Sequence, residues 1–78
     1  MSLANEISEQ VLRELERAQR KFPAFHSSHE GYAVLKEEVD ELWDAVKSNN
    51  VTHAKVEAIQ VAAMAIRFIL ETPAEPRS

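Results

Sequence analysis

Two carboxylate pairs at helical spacing carry whatever chemistry this chain has to offer. The stretch LKEEVDELWD, residues 35–44, packs five acids into ten positions, among them the E-x-x-E pair Glu38 and Glu41. Downstream, VEAIQVAAMAIRF holds a single glutamate, Glu57, followed three residues later by Gln60. A carboxylate in so apolar a segment is costly unless it is paired, protonated or bound to a metal. An ion pair with Lys55, or with Arg67 of a partner chain, is one way to satisfy it. The alternative is convergence of the two sets across a helix pair, which is how helical bundles build metal sites from inward carboxylates. An all-oxygen ligand set of Glu38, Glu41, Glu57 and Gln60 suits a hard ion, Mg²⁺ or Mn²⁺.

The elements that must position these residues read as three helices. Ile7, Val11, Leu12, Leu15 and Ala18 recur at three- and four-residue spacing and predict a helix over residues 5–21. Pro23 ends it, because proline disfavours helical geometry in the residue before it. A second helix is predicted over 28–47, opened by Ser27 and Glu30 in a capping-box pattern. The polar run Ser48–Asn50 breaks it, and Asn50 or Thr52 caps a third helix over 52–71. The sequence TPAEP stops the third helix, leaving a loose tail from 72 to 78.

At about 100° per residue, Tyr32, Leu35, Val39, Leu42 and Val46 form the apolar stripe of the second helix. Asp40 and Asp44 fall on a solvated face with Lys36 and Lys47. Glu38 and Glu41 lie on a flank of the stripe, in the sector of Val34 and Ala45, with Glu37 one step nearer solvent. From Val56 to Leu70 the only polar residues are Glu57, Gln60 and Arg67, gathered in one sector with Met64. A helix apolar over every other direction is buried on several sides. Three helices in one small chain do not surround it, so a second copy is expected to complete the bundle.

Seventy-eight residues make one domain, 1–78, near the lower limit for a self-sufficient core. One glycine and three prolines leave little room for hairpins, which with the abundant Ala, Leu, Glu and Lys predicts an all-α fold. There is no cysteine, hence no disulfide and no thiolate ligand, and a cytoplasmic location is expected. The net charge of −4 with no basic run argues against nucleic acid as a partner. The apolar run of the third helix is too short and too interrupted by charge to span a membrane.

At these residues the chain resembles the MazG-like branch of the all-α nucleoside triphosphate pyrophosphohydrolases, kin to dimeric dUTPases. The family signature is E-x-x-E on one helix and E-x-x-D on the next. Glu38 and Glu41 meet the first half and Glu57 begins the second, with Gln60 where the family has aspartate. FHSSHEGYAVLKEEVDELWDAV and EAIQVAAMAIRFI look like the small phage-type members, and the similarity covers residues 22–70. The resemblance implies a Mg²⁺-dependent homo-oligomer that converts a nucleoside triphosphate to the monophosphate and pyrophosphate, with nucleotide housecleaning as its role. It implies Glu38, Glu41, Glu57 and Gln60 as metal ligands and Glu37 or Glu41 as the group that activates water. His26 and His29, at a helix start that favours anions, and Arg67 are candidate phosphate contacts. Trp43 and Tyr32 suit either a base or an interface between subunits. The alternative is a non-catalytic helical module, binding copies of itself, a nucleotide or a metal through a degenerate site.

Overall fold

The structure, a computed structural model, describes residues 2–74. Its elements are α1 (Leu3–Lys21), α2 (Ser28–Lys47) and α3 (Val51–Glu71), with no strand among the described residues. The loose tail expected over 72–78 lies, from residue 75 onward, outside that range. No helix is long and apolar enough to cross a membrane.

Local chemistry explains each boundary. The first helix begins two residues earlier than expected because Ser2, not Asn5, is its cap: the Ser2 hydroxyl accepts from the Asn5 amide at 3.1 Å. Ser27 caps α2 by accepting from the Glu30 amide at 3.1 Å. Glu30 reaches back one residue farther than a capping box requires, to the amide of His26 at 3.4 Å.

Between α2 and α3 the chain turns in three residues. Asn49 adopts a left-handed backbone with φ 59°, donating its amide to Val46 while the Asn50 amide donates to Ala45. This is the Schellman pattern, with asparagine in the place glycine usually fills. Asn50 then caps α3, its side-chain oxygen accepting from the His53 amide at 3.0 Å. The tight turn fixes α2 and α3 as antiparallel neighbours and sets the register of the two acidic pairs.

The central helix is α3. Both α1 and α2 pack against it and not against each other. The result is a slab of 45 × 32 × 22 Å rather than a closed bundle. Its core is Val11, Leu15 and Ala18 of α1 against Ala63 and Met64 of α3. Ala63 is fully buried within the single chain. It is therefore a core residue of the protomer and not a contact for a partner.

The expected stripe of α2 is only partly inward. Leu35 and Leu42 are half-buried, whereas Tyr32, Val39 and Val46 are exposed together with Trp43. The face that meets α3 is instead Gly31, Val34, Glu38 and Ala45, the sector assigned to the flank. On α1, Ile7 and Leu12 are likewise open.

Gly31 packs tightly beneath the Phe68 and Phe25 rings. A Cβ there would stand 2.8 Å from the Phe68 ring and 3.1 Å from that of Phe25. Alanine gains up to about 1 kcal/mol of helix propensity, but overpacking costs about 1–3 kcal/mol. Gly31→Ala is therefore expected to destabilise the chain by about 1 kcal/mol in urea unfolding. A gain in stability would show that the rings yield freely.

Candidate metal centre

The turn after Lys47 brings the acidic flank of α2 against the polar sector of α3. Glu38, Glu41 and Glu57 each place one carboxylate oxygen within 4.8 Å of the other two. Glu38 and Glu57 are partly buried, and Glu41 is exposed at the rim. Glu57 is the deepest: its Oε2 is inaccessible to solvent and has no hydrogen-bond partner. Its Oε1 has a single partner, His53 Nε2 at 3.3 Å, one turn back on α3.

No arginine or lysine forms an ion pair with these three acids among the described residues. Burial raises the Glu38 carboxyl above the usual carboxylate range, and the charges of Glu41 and Glu57 push it further the same way. Clustered acids with little internal compensation take up a proton or a cation. A carboxylate with one buried, unpartnered oxygen, grouped with two further carboxylates, fits a hard divalent ion, whose ligands are oxygens.

Arg67 is not available to this cluster. It is 3% exposed, with Nη2 donating to the Pro23 carbonyl at 2.7 Å and Nε to Glu71 Oε2 at 3.2 Å. Its guanidinium carbon lies 4.2 Å from the centre of the Phe25 ring and 5.7 Å from that of Phe22. Arg67 therefore ties the 22–27 loop to α3. Lys55 forms no ion pair with Glu57 within the protomer.

Beside the acids lies a cleft of about 430 Å³. Glu37, Glu38 and Gln60 form one wall; Arg17 and Lys21 of α1, Phe22, Phe25 and Arg67 form the other. Gln60 also faces α1, where its amide, after Arg17, helps hold the Glu14 carboxyl below its usual range. On the other side of the acids, Glu41, Asp44, His53 and Glu57 border a second, shallower cleft of about 320 Å³. His26 stands at the start of α2 with Nδ1 3.0 Å from Glu30 Oε2, and His29 is exposed.

The structure thus gathers Glu38, Glu41 and Glu57, sets Glu37, Gln60 and Arg67 around the adjoining cleft, and leaves His26 and His29 at the helix start. Sequence reasoning missed Arg17, Lys21, Glu14 and His53. Only His53 carries a local signal, its H-x-x-x-E spacing to Glu57, which places both side chains on one helical face. Comparison of the chain with protein-family models, with curated proteins and with solved structures returns no match in any of the three.

Proposed function

We propose that the chain is a divalent-cation-dependent nucleoside triphosphate pyrophosphohydrolase of the MazG-like, all-α kind, acting as a homo-oligomer. The observation that carries this reading is the convergence of Glu38, Glu41 and Glu57, the last with one carboxylate oxygen buried and unpartnered. Those three carboxylates hold the ion. Bound Mg²⁺ or Mn²⁺ supplies charge neutralisation to the phosphates and a template for their oxygens.

The remaining roles fall to the cleft. Arg17 and Lys21 offer cations to the phosphate chain. Phe22, exposed at the cleft, offers an apolar face to a base, and Phe25 beneath it is buried with the Arg67 guanidinium stacked on it. Glu37 lies in the cleft wall and outside the acidic trio, so its carboxylate is free to orient water and accept its proton. Water then adds across the α–β bridge, and pyrophosphate departs with the bridging oxygen.

The test is a melting experiment followed by product analysis. An ion at about 100 times its Kd adds about 2.7 kcal/mol to stability, which moves Tm by roughly 10 °C or more in a domain this small. Monophosphate and pyrophosphate are the expected products from a panel of triphosphates. Indifference of Tm to Mg²⁺ and Mn²⁺ would sink the reading.

Gln60 favours a second reading. Its amide is directed to Glu14 on α1, and the site has no fourth carboxylate where the family signature has one. A metal-dependent rise in Tm without turnover on any triphosphate selects this alternative, a non-catalytic binding or oligomerisation module.

A further inference from the structure

We infer that Arg67 is a positioning residue: from inside the core it stations the aromatic wall of the cleft, so that Phe22 stands ready for a base. The inference rests on the nucleotide reading above and deepens it, assigning Arg67 to the base end of the ligand and not to its phosphates.

Burial and bonding decide against direct contact with phosphate. Arg67 borders the cleft, yet it is only 3% exposed. Its donors are already committed. Nη2 donates to the Pro23 carbonyl at 2.7 Å and Nε to Glu71 Oε2 at 3.2 Å, while Nη1 faces the Met64 sulfur at 3.9 Å. Turning the fork towards a phosphate would break the Pro23 bond, and the Glu71 carboxylate already offsets the charge a phosphate would seek.

The same group is tied to the aromatic wall. Its guanidinium carbon stands 4.2 Å from the centre of the Phe25 ring and 5.7 Å from that of Phe22, so rings on both sides of Pro23–Ala24 lie against one cation. Phe25 is buried and packs over Gly31, whereas Phe22 is 49% exposed at the cleft. The Phe22 amide donates to Ala18 of α1 and the His26 amide to Glu30 of α2, so Arg67 supplies the hydrogen bond from α3. Carbonyl and buried ring fix the segment, and the exposed ring is what they place. An aromatic face set beforehand binds a base more tightly, because no ordering cost falls at the moment of binding.

The test titrates two kinds of probe by calorimetry in saturating Mg²⁺. One is a panel of α,β-methylene nucleoside triphosphates, which α–β hydrolysis does not consume; the other is inorganic tripolyphosphate, which has no base. Wild type, Arg67→Met, Arg67→Lys, Phe22→Ala and the double variant Arg67→Lys with Phe22→Ala are compared, with the folded fraction read by circular dichroism. Lysine keeps the buried charge and one bond but lacks the planar fork that both bonds and stacks. Each single variant is expected to weaken the nucleotide analogues at least about fivefold, the lower end of what stacking a base on an aromatic ring contributes. Tripolyphosphate affinity is expected to change by less than about twofold, and the double variant to match Phe22→Ala within about twofold, because both changes act on one ring.

Equal weakening of tripolyphosphate and the analogues in folded Arg67→Lys would make Arg67 a phosphate contact and overturn the inference. Unchanged analogue affinity in folded Arg67→Lys would reduce the residue to a structural tie and overturn it as well, as would losses that add in the double variant. If Arg67→Met does not fold, Arg67→Lys and Phe22→Ala decide the matter by the same criteria. A wild type that binds no analogue would overturn both this inference and the nucleotide reading beneath it, whereas a wild type that binds them leaves that reading standing whatever the variants do.

Discussion

Glu57→Gln is expected to abolish divalent-dependent stabilisation and to lower turnover by about 10²–10³-fold or more, the range for removing one charge-stabilising group from an active site. In the metal-free protein the same change is expected to leave stability equal or higher. Two effects compete there. The substitution weakens the pair with His53, but that histidine is 56% exposed and an i,i+4 pair of this kind contributes only about 0.3–0.5 kcal/mol. Against it stands a carboxylate whose Oε2 is buried without a partner and lies beside Glu38 and Glu41. Glutamine is as polar as glutamate but carries no charge, so it removes one of three clustered negative charges, and its amide N–H can donate to a neighbouring carboxylate; that relief of repulsion wins. Equilibrium unfolding with and without Mg²⁺ measures both signs. Loss of stability in the metal-free variant, with no metal effect in the wild type, would identify Glu57 as a structural residue.

The same repulsion fixes a pH dependence. Burial first, then Glu41 and Glu57, raise the Glu38 pKa in the folded chain above its unfolded value. Between those two values the folded state binds more protons than the unfolded one. The contribution of Glu38 to stability is fully present below the unfolded pKa and is lost as pH rises through the folded pKa. Glu38→Gln flattens that fall. Saturating Mg²⁺ reverses its direction, because an ion that needs the deprotonated carboxylate binds better as pH rises.

The parts of the site that are local in sequence were legible. The spacing of Glu38 and Glu41, their flank with Val34 and Ala45, the Ser27 cap and the Asn49–Asn50 turn all involve residues within one or two helical turns of each other. What the spacing could not give was the destination of long side chains. Arg67 shares a wheel sector with Glu57, yet its shortest hydrogen bond is to the carbonyl of Pro23, 44 residues away, in a loop that periodicity does not place. The stripe of Tyr32, Val39 and Val46 was recognised as apolar but not as uncovered, because hydrophobic period tells which face is apolar and not what meets it. His53 went unnoticed for the opposite reason. Its partner is one turn away, but a histidine at the start of a helix gives no composition signal until the Glu57 carboxylate is seen to need one.

The open stripe leads to the second large effect, on assembly. Tyr32, Val39, Trp43 and Val46 of α2 and Ile7 of α1 stand exposed on the protomer, apolar surface of the kind a partner covers. Two adjoining apolar grooves locate it: Val46, Val51, Ala54 and Ala58 line one, and Ile7, Ala58, Ile59 and Ala62 the other. Ala58 is common to both and exposed, so it marks the middle of this face, on the side of α3 opposite Gln60 and Arg67. Ala58→Glu therefore places a charge at the centre of the proposed interface without entering the protomer core, which Ala63→Glu would not avoid. Lys55 lines both grooves beside Ala58 and offers the new carboxylate an i,i+3 partner, so the cost is a fraction of the ~3–5 kcal/mol of an unpaired buried charge. With every 1.4 kcal/mol about tenfold in Kd, dimer affinity is expected to fall by about tenfold. Sedimentation and far-UV circular dichroism of both proteins at micromolar concentration check it. A wild type that sediments as a folded monomer, or an Ala58→Glu chain that assembles as tightly as wild type, would remove the case for a partner on this face. Assembly lost while the acidic cluster still binds its ion would show that the two faces of the slab act separately, with association on one and chemistry on the other.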